Sequence, residues 1–317
     1  MSTAEAYPAG AGEQCVLVQV EDLAKHYRSR RALEGLSLTV RAGEIVGLVG
    51  ANGAGKTTCL RILAGLLAPD AGRGRVLGYD LSCDAHEIRR RAGYMSQRFS
   101  LYAGLSVREN LRFRAEVFGL VEPRRAVAAV VERFALEPFE TLAAERLSGG
   151  WARLLQLAAA LVHTPPLVLL DEPTAGLDAV GRQAVWRHLA RVAAEGAAIV
   201  LSTHDLVDAN RCTRISCLAQ GSVVGTGSPS DVALATHATV LAIRGGHVLA
   251  LIEPLQAIRG VIASYPSGDC LRVVIEPAAE GRVGGCAMLA DFVIERVSPT
   301  LEDAALEWSS PRRAVSA

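Results

Sequence analysis

Lysine is nearly absent from this chain. Of 33 basic residues only two are lysine, Lys25 and Lys56, and the other 31 are arginine. A bias of that size reflects codon usage and says little about any single position. Charge of one sign is not in excess either. The formal net charge is zero and the pI is near 7.0, so no global field favours nucleic acid or an anionic membrane. Mean hydropathy is +0.25, yet no run of about 18 apolar residues occurs, which excludes a bilayer-spanning helix. The opening residues, Met1–Gly10, lack the basic and apolar regions of a signal peptide. The 7 cysteines are odd in number, scattered and never spaced as CxxC. That predicts free thiols in a reducing cytosol and argues against a disulfide framework or a metal site.

One of the two lysines stands in the most informative stretch that is present. Gly50-Ala-Asn52-Gly53-Ala54-Gly55-Lys56-Thr57-Thr58 matches G-x-x-x-x-G-K-[ST], a phosphate-binding loop. The context fits: Glu44–Val49 reads as a short buried strand, and the residues from Cys59 carry helical apolar spacing. Small residues let successive backbone N–H groups curl around phosphate oxygens, and the helix dipole adds positive potential there. Lys56 reaches the β- and γ-phosphates as a compact point charge, and Thr57 can ligate Mg²⁺.

The length of 317 residues suggests about two domains. Residues 1–14 read as a flexible tail. Val16–Val20 and Leu36–Val40 alternate apolar with polar, as antiparallel strands with one wet face do. Pro69–Gly74 reads as a turn and Arg75–Tyr79 as a strand. Helical spacing dominates from about 106 to 146, and a further helix starts at 147–163 with Ser148 as its N-cap. Together these form a helical insert at about 98–160. Leu167–Leu170 is a continuous apolar run, as expected of a central parallel strand. Helix Val180–Ala194, strand Ala198–Ser202 and helix Leu206–Cys212 continue a βαβ alternation. From about 235 the pattern changes to short β-like runs (His247–Ile252, Leu271–Ile275, Asp291–Ile294) among Gly and Pro. The expected architecture is therefore α/β: a P-loop NTPase core with a parallel sheet flanked by helices, an antiparallel β subdomain, a helical insert and a small C-terminal α+β domain. Its expected bounds are 15–234 for the nucleotide-binding domain and 235–317 for the accessory domain.

Two carboxylates, Asp171 and Glu172, end the Leu167–Leu170 strand, at the edge where open α/β sheets bind ligands. Asp171 can hold Mg²⁺, and Glu172 can orient and deprotonate an attacking water. Leu147-Ser148-Gly149-Gly150 opens a helix and makes a second anion-binding element. His204 follows the Ala198–Leu201 strand, where it can donate to a γ-phosphate. Gln97, just before the helical insert, can touch Mg²⁺ or water through a neutral amide. Gly176-Leu177-Asp178 reads as a turn and helix cap.

In this order the motifs resemble the ATP-binding cassette family over about residues 16–230. The resemblance implies two cassettes closing head-to-tail around two ATP molecules. Tyr27 matches the aromatic that stacks on adenine. Gly50–Thr58 hold phosphates and Mg²⁺ from one side, and Ser148, Gly149 and Gly150 of a second cassette close on the γ-phosphate from the other. Glu172 is the implied base, His204 supports the γ-phosphate, Asp178 communicates across the dimer, and Gln97 links closure to the insert, which grips a membrane subunit. The implied cofactors are ATP and Mg²⁺. The implied partners are a second cassette, identical or homologous, and integral membrane permease subunits that hold the chain at the inner face of the cell membrane, with no direct nucleic-acid contact. Tyr94–Asn110 and Ser298–Ala304 are similar to segments of ABC-2 type exporter ATPases, including multidrug efflux systems. Two departures stand out: Trp151 where the family often has Gln, and Arg153-Leu154 where it has Gln-Arg. The loss of arginine at 154 weakens the expected tie between that helix and the catalytic strand. A soluble cassette acting on nucleic acid or ribosomes is the main alternative, disfavoured by the single cassette and neutral pI. A weakly hydrolysing regulatory cassette is a second, disfavoured by Glu172 and His204.

Overall fold

The computed structural model describes residues 15–28 and 30–309. The tail expected over residues 1–14 lies outside them. The described residues pack as two compact units, one of 15–46 and 56–202, the other of 47–55 and 203–309.

The first unit opens with two long antiparallel strands, β1 (Val16–Tyr27) and β2 (Arg30–Arg41), in register at Val18↔Val40 and Val20↔Leu38. Leu36, Leu38 and Val40 are buried, while Ser37 and Thr39 between them are not, so the alternation does put one face in the core. Strand β3 (Ile45–Val49) is buried throughout and runs from this unit into the second. Helix α1 (Lys56–Leu63) follows the glycine-rich loop. The next strands, β4 (Ala71–Val76) and β5 (Tyr79–Asp80), complete a four-stranded sheet of order β2-β1-β4-β5. The expected turn at Pro69–Gly74 is thus mostly strand. The glycines there serve close approach: a Cβ on Gly74 would lie 2.5 Å from the Gln19 carbonyl oxygen.

Helix α2 (Ala85–Arg91) leads into β6 (Ala92–Met95), a strand that the apolar pattern does not announce. The insert holds α3 (Val107–Val117), α4 (Pro123–Arg133) and α5 (Gly149–Leu161). Ser106 opens α3 with a capping box completed by Glu109. Buried Asn110 donates to the Tyr102, Leu105 and Ser106 carbonyls and accepts from the Tyr102 N–H, which fixes the loop entering the insert. Then come β7 (Leu167–Asp171), α6 (Ala179–Ala194) and β8 (Ala198–Thr203). Strands β6, β7 and β8 lie side by side and parallel, β7 and β8 buried at every residue. Burial on both faces is why these segments read as unbroken apolar runs.

Two imidazoles pack in this unit. His163 stacks on Phe118 (centroids 3.6 Å apart, 12° between planes) and His188 on Phe134 (4.1 Å, 19°). Desolvation pushes both down to about 4, with Arg114 adding at His163 and Arg133, Arg187 and Arg191 at His188. Folding therefore favours the neutral rings. This stability is complete above the unfolded histidine value and is lost as pH falls from about 6.5 toward the folded value, because the unfolded chain binds more protons there. Each such group costs at most about 1.4 kcal/mol per pH unit across that window. Denaturant unfolding at pH 7 and pH 5 checks this: His163→Phe keeps the stack and should lose distinctly less stability between the two pH values than the unchanged chain. An equal loss would contradict the assignment.

The second unit contains the glycine-rich loop, α7 (Leu206–Ala209), the antiparallel pair β9 (Arg214–Ala219) and β10 (Ser222–Gly227), and α8 (Pro229–Leu234). Strand β11 (Thr239–Arg244), helix α9 (Ile252–Gln256), strands β12 (Val261–Ser267) and β13 (Cys270–Ile275), helix α10 (Glu280–Gly284), strand β14 (Val293–Arg296) and helix α11 (Leu301–Ser309) follow. Their sheet is antiparallel, in the order β12-β13-β11-β14. The β-like reading of His247–Ile252 is corrected here. His247 adopts φ 59°, Val248–Leu251 form a 3₁₀ turn, and α9 follows. Leu251 and Leu255, four residues apart, both enter the core beneath the sheet. Periodicity over so short an apolar run does not separate strand from helix. Helix α11 is locked to the sheet by buried Asp303, which accepts from Arg272 (2.6 Å), Tyr265 (2.7 Å) and the Thr300 N–H (2.7 Å).

Candidate nucleotide site

In the second unit, the loop after β3 is shaped by backbone that only glycine allows. Gly50 has φ 156°, and a Cβ there would sit 2.3 Å from the Leu218 carbonyl oxygen. Its N–H donates to the Thr203 carbonyl (3.3 Å), the Ala54 N–H to the Ala51 carbonyl (3.1 Å), and the Gly221 N–H to the Ala54 carbonyl (3.2 Å). Asn52 and Gly53 are exposed, Ala54 is buried, and His204, just beyond β8, is exposed.

In the first unit, α1 presents Lys56 and Thr57 at its first turn. Lys56 is only 5% exposed. Desolvation lowers its pKa, while the Glu172 and Asp171 carboxylates hold it up. Thr57 Oγ1 donates to Asp171 Oδ1 at 3.0 Å. The same carboxylate oxygen accepts from Ser202 Oγ at 2.6 Å, and that hydroxyl in turn accepts the Glu172 N–H at 2.9 Å. Glu172 is 7% exposed and has φ 49°, a left-handed conformation uncommon outside glycine. Gln97 Nε2 donates to Glu172 Oε2 at 2.9 Å. The geometry therefore brings Lys56, Thr57, Gln97, Asp171 and Glu172 into one cluster.

The remaining predicted residues lie outside that cluster. Tyr27, 45% exposed, ends β1. Ser148 occupies the N-cap position of α5 without a side-chain capping bond, and Gly149 and Gly150 form its first turn. Asp178 caps α6 by accepting from the Gly181 N–H at 2.7 Å. Thr58 continues α1.

Two residues given no role from the sequence belong to the site. Ser202 aligns Asp171, and its signal is a hydroxyl at the end of an apolar strand. Arg153 is buried at 7% exposure and reaches backbone carbonyls at Gln97, Asp171, Glu172 and Pro173. That corrects the expectation that Leu154 weakens the helix's tie to the catalytic strand, since the neighbouring arginine makes the tie. Trp151 packs against Phe139, with centroids 4.5 Å apart.

A glycine-shaped loop feeding a helix N-terminus, with paired carboxylates at the end of a parallel strand, defines a P-loop nucleotide-binding protein. Comparison narrows the class. The family model described as ABC transporter matches residues 33–175. YbhF of Escherichia coli, a probable multidrug ABC transporter ATP-binding protein, is 35% identical over 218 residues, covering 68% of this chain but only 38% of YbhF. Nod factor export ATP-binding protein I of Paraburkholderia xenovorans is 37% identical, covering 75% of this chain and 80% of that protein. The daunorubicin/doxorubicin resistance ATP-binding protein DrrA of Streptomyces peucetius is 35% identical, covering 72% and 70%. Among solved structures, an ATP-binding subunit of an ABC transporter superposes with TM-score 0.63 at 33% identity, covering 68% of this chain and 91% of that one. A cassette dimer in a post-hydrolysis state, bound to ADP and Pi, gives TM-score 0.62 at 27% identity, covering 67% and 98%. The chain belongs to the ABC transporter family, and it is an ATP-binding cassette.

Proposed function

We propose that this chain hydrolyses ATP as the motor subunit of an exporter of drugs or other small molecules. The observation that carries the reading is the bonded set Thr57–Asp171 and Gln97–Glu172 beside buried Lys56. Lys56 and the loop amides bind the phosphates. Thr57 and Asp171 offer only hard oxygen donors at one point, which fits Mg²⁺, and the ion would neutralise phosphate charge. Glu172 orients a water and takes its proton. His204 and Tyr27 contact the γ-phosphate and adenine. Ser148–Gly150 of a second copy of the chain, with its Asp178 nearby, complete the site. ATP closes the dimer and hydrolysis reopens it. The chain from about residue 235 on serves as an accessory domain, and the helical insert docks on permease subunits at the inner face of the membrane.

Names of relatives support export: YbhF, the Nod factor protein and DrrA are named for multidrug transport, Nod factor export and drug resistance. No described helix is long and apolar enough to cross a membrane. Affinity capture of the tagged chain from detergent-solubilised cells checks this. The expected partner is a membrane protein with about six apolar spans of roughly 20 residues each. Recovery of ribosomal or DNA-repair proteins alone would refute the export role.

A further inference from the structure

Three groups of the site form a closed ring of hydrogen bonds. The Gln97 side chain donates to the Glu172 carboxylate at 2.9 Å. The Gln97 backbone carbonyl accepts from Arg153 Nη1 at 2.7 Å. The Glu172 backbone carbonyl accepts from Arg153 Nη2. The remaining N–H groups of the guanidinium are also used: Nε donates to the Pro173 carbonyl (3.1 Å), Nη2 to the Asp171 carbonyl (3.2 Å) and Nη1 to Gln156 Oε1 (3.2 Å). A guanidinium has five N–H donors in a fixed fork, and each has an acceptor here. Gln156, one turn further along α5, donates to the Arg98 carbonyl at 2.9 Å.

This arrangement has a purpose that packing alone would not require. Three successive carbonyls, at 171, 172 and 173, are gripped around the left-handed residue Glu172. A non-glycine residue keeps such a conformation only when its surroundings fix it. The gripping side chain stands on α5, whose first turn carries Gly149 and Gly150. About one turn of rigid helix therefore joins the Ser148–Gly150 element to the backbone of Glu172. We propose that Arg153 is a positioning residue: it sets the place of the Glu172 carboxylate and makes it sensitive to what Ser148–Gly150 touch. This rests on the composite-site reading above. Engagement of one nucleotide by α5 is then felt at the catalytic base serving the other nucleotide of the dimer.

A double-mutant cycle in the full-length protein tests this, using Arg153→Met, Glu172→Gln and their combination. Steady-state ATPase rates, ATP affinity and thermal unfolding are measured for each. Arg153→Met should lower kcat tenfold or more, with KM and ATP affinity changed less than threefold. The same substitution should lower the residual rate of Glu172→Gln less than twofold, because no base remains to be positioned. Arg153→Lys keeps the charge but not the fork and should fall between; it replaces Arg153→Met in the cycle if that variant does not fold. An unchanged kcat, an equal loss in both backgrounds, or a loss of ATP affinity as large as the loss of kcat would overturn the proposal. Undiminished turnover in Glu172→Gln alone would instead overturn the assignment of the base.

Discussion

Glu172→Gln should leave ATP bound and lower turnover by about two orders of magnitude or more, the range general bases contribute. The substitution keeps size and shape in a position only 7% exposed, and the new amide oxygen can still accept from Gln97. The backbone hold also persists, because Ser202 and Arg153 bond the main chain of residue 172, not its side chain. What is lost is the ability to take a proton from water. Single-turnover and steady-state ATPase assays, with equilibrium ATP binding alongside, separate the two effects. Turnover close to that of the unchanged chain would sink the role given to Glu172.

Lys56→Ala should do the opposite and remove binding. A charge-assisted hydrogen bond contributes about 1.5–3 kcal/mol, so loss of the Lys56 contacts weakens ATP binding by roughly 10- to 100-fold. The nucleotide-free protein should keep its stability. Burial is the main influence on Lys56 and works against its charged form, with the Asp171 and Glu172 carboxylates only offsetting it. ATP titration paired with thermal unfolding checks both halves. Undiminished nucleotide affinity would count against the phosphate-cradle reading, and a large loss of stability without nucleotide would recast Lys56 as structural.

Much of the site is legible in the sequence because its parts are local. A phosphate loop must be contiguous, so Gly50–Thr58 can be read directly, and the left-handed Gly50 explains why glycine is needed there. The carboxylates follow an apolar run because a strand buried on both faces has no polar residue until its end. The signature Ser148–Gly150 is legible as a helix start. Arg153 is not legible in this way. Four of its five acceptors are backbone carbonyls 18–56 residues away in sequence, which carry no residue identity. Substitution at 154 therefore suggests a lost contact where a one-residue shift supplies it. Strand β6 and the 3₁₀ turn at Val248–Leu251 escape the pattern because each is short and nearly all apolar or small. Ala71–Gly74 escapes because its glycines answer to a neighbouring strand and not to a turn.

The central claim is that Lys56 and Glu172 belong to half of an ATP site, completed by Ser148–Gly150 of a second copy. Sedimentation velocity of the Glu172→Gln protein, with and without saturating ATP and Mg²⁺, tests it most directly. The account predicts monomer without nucleotide and a dimer holding two ATP molecules when nucleotide is present, with the dimer lost on Ser148→Arg. A monomer that carries bound ATP at every protein concentration would contradict it.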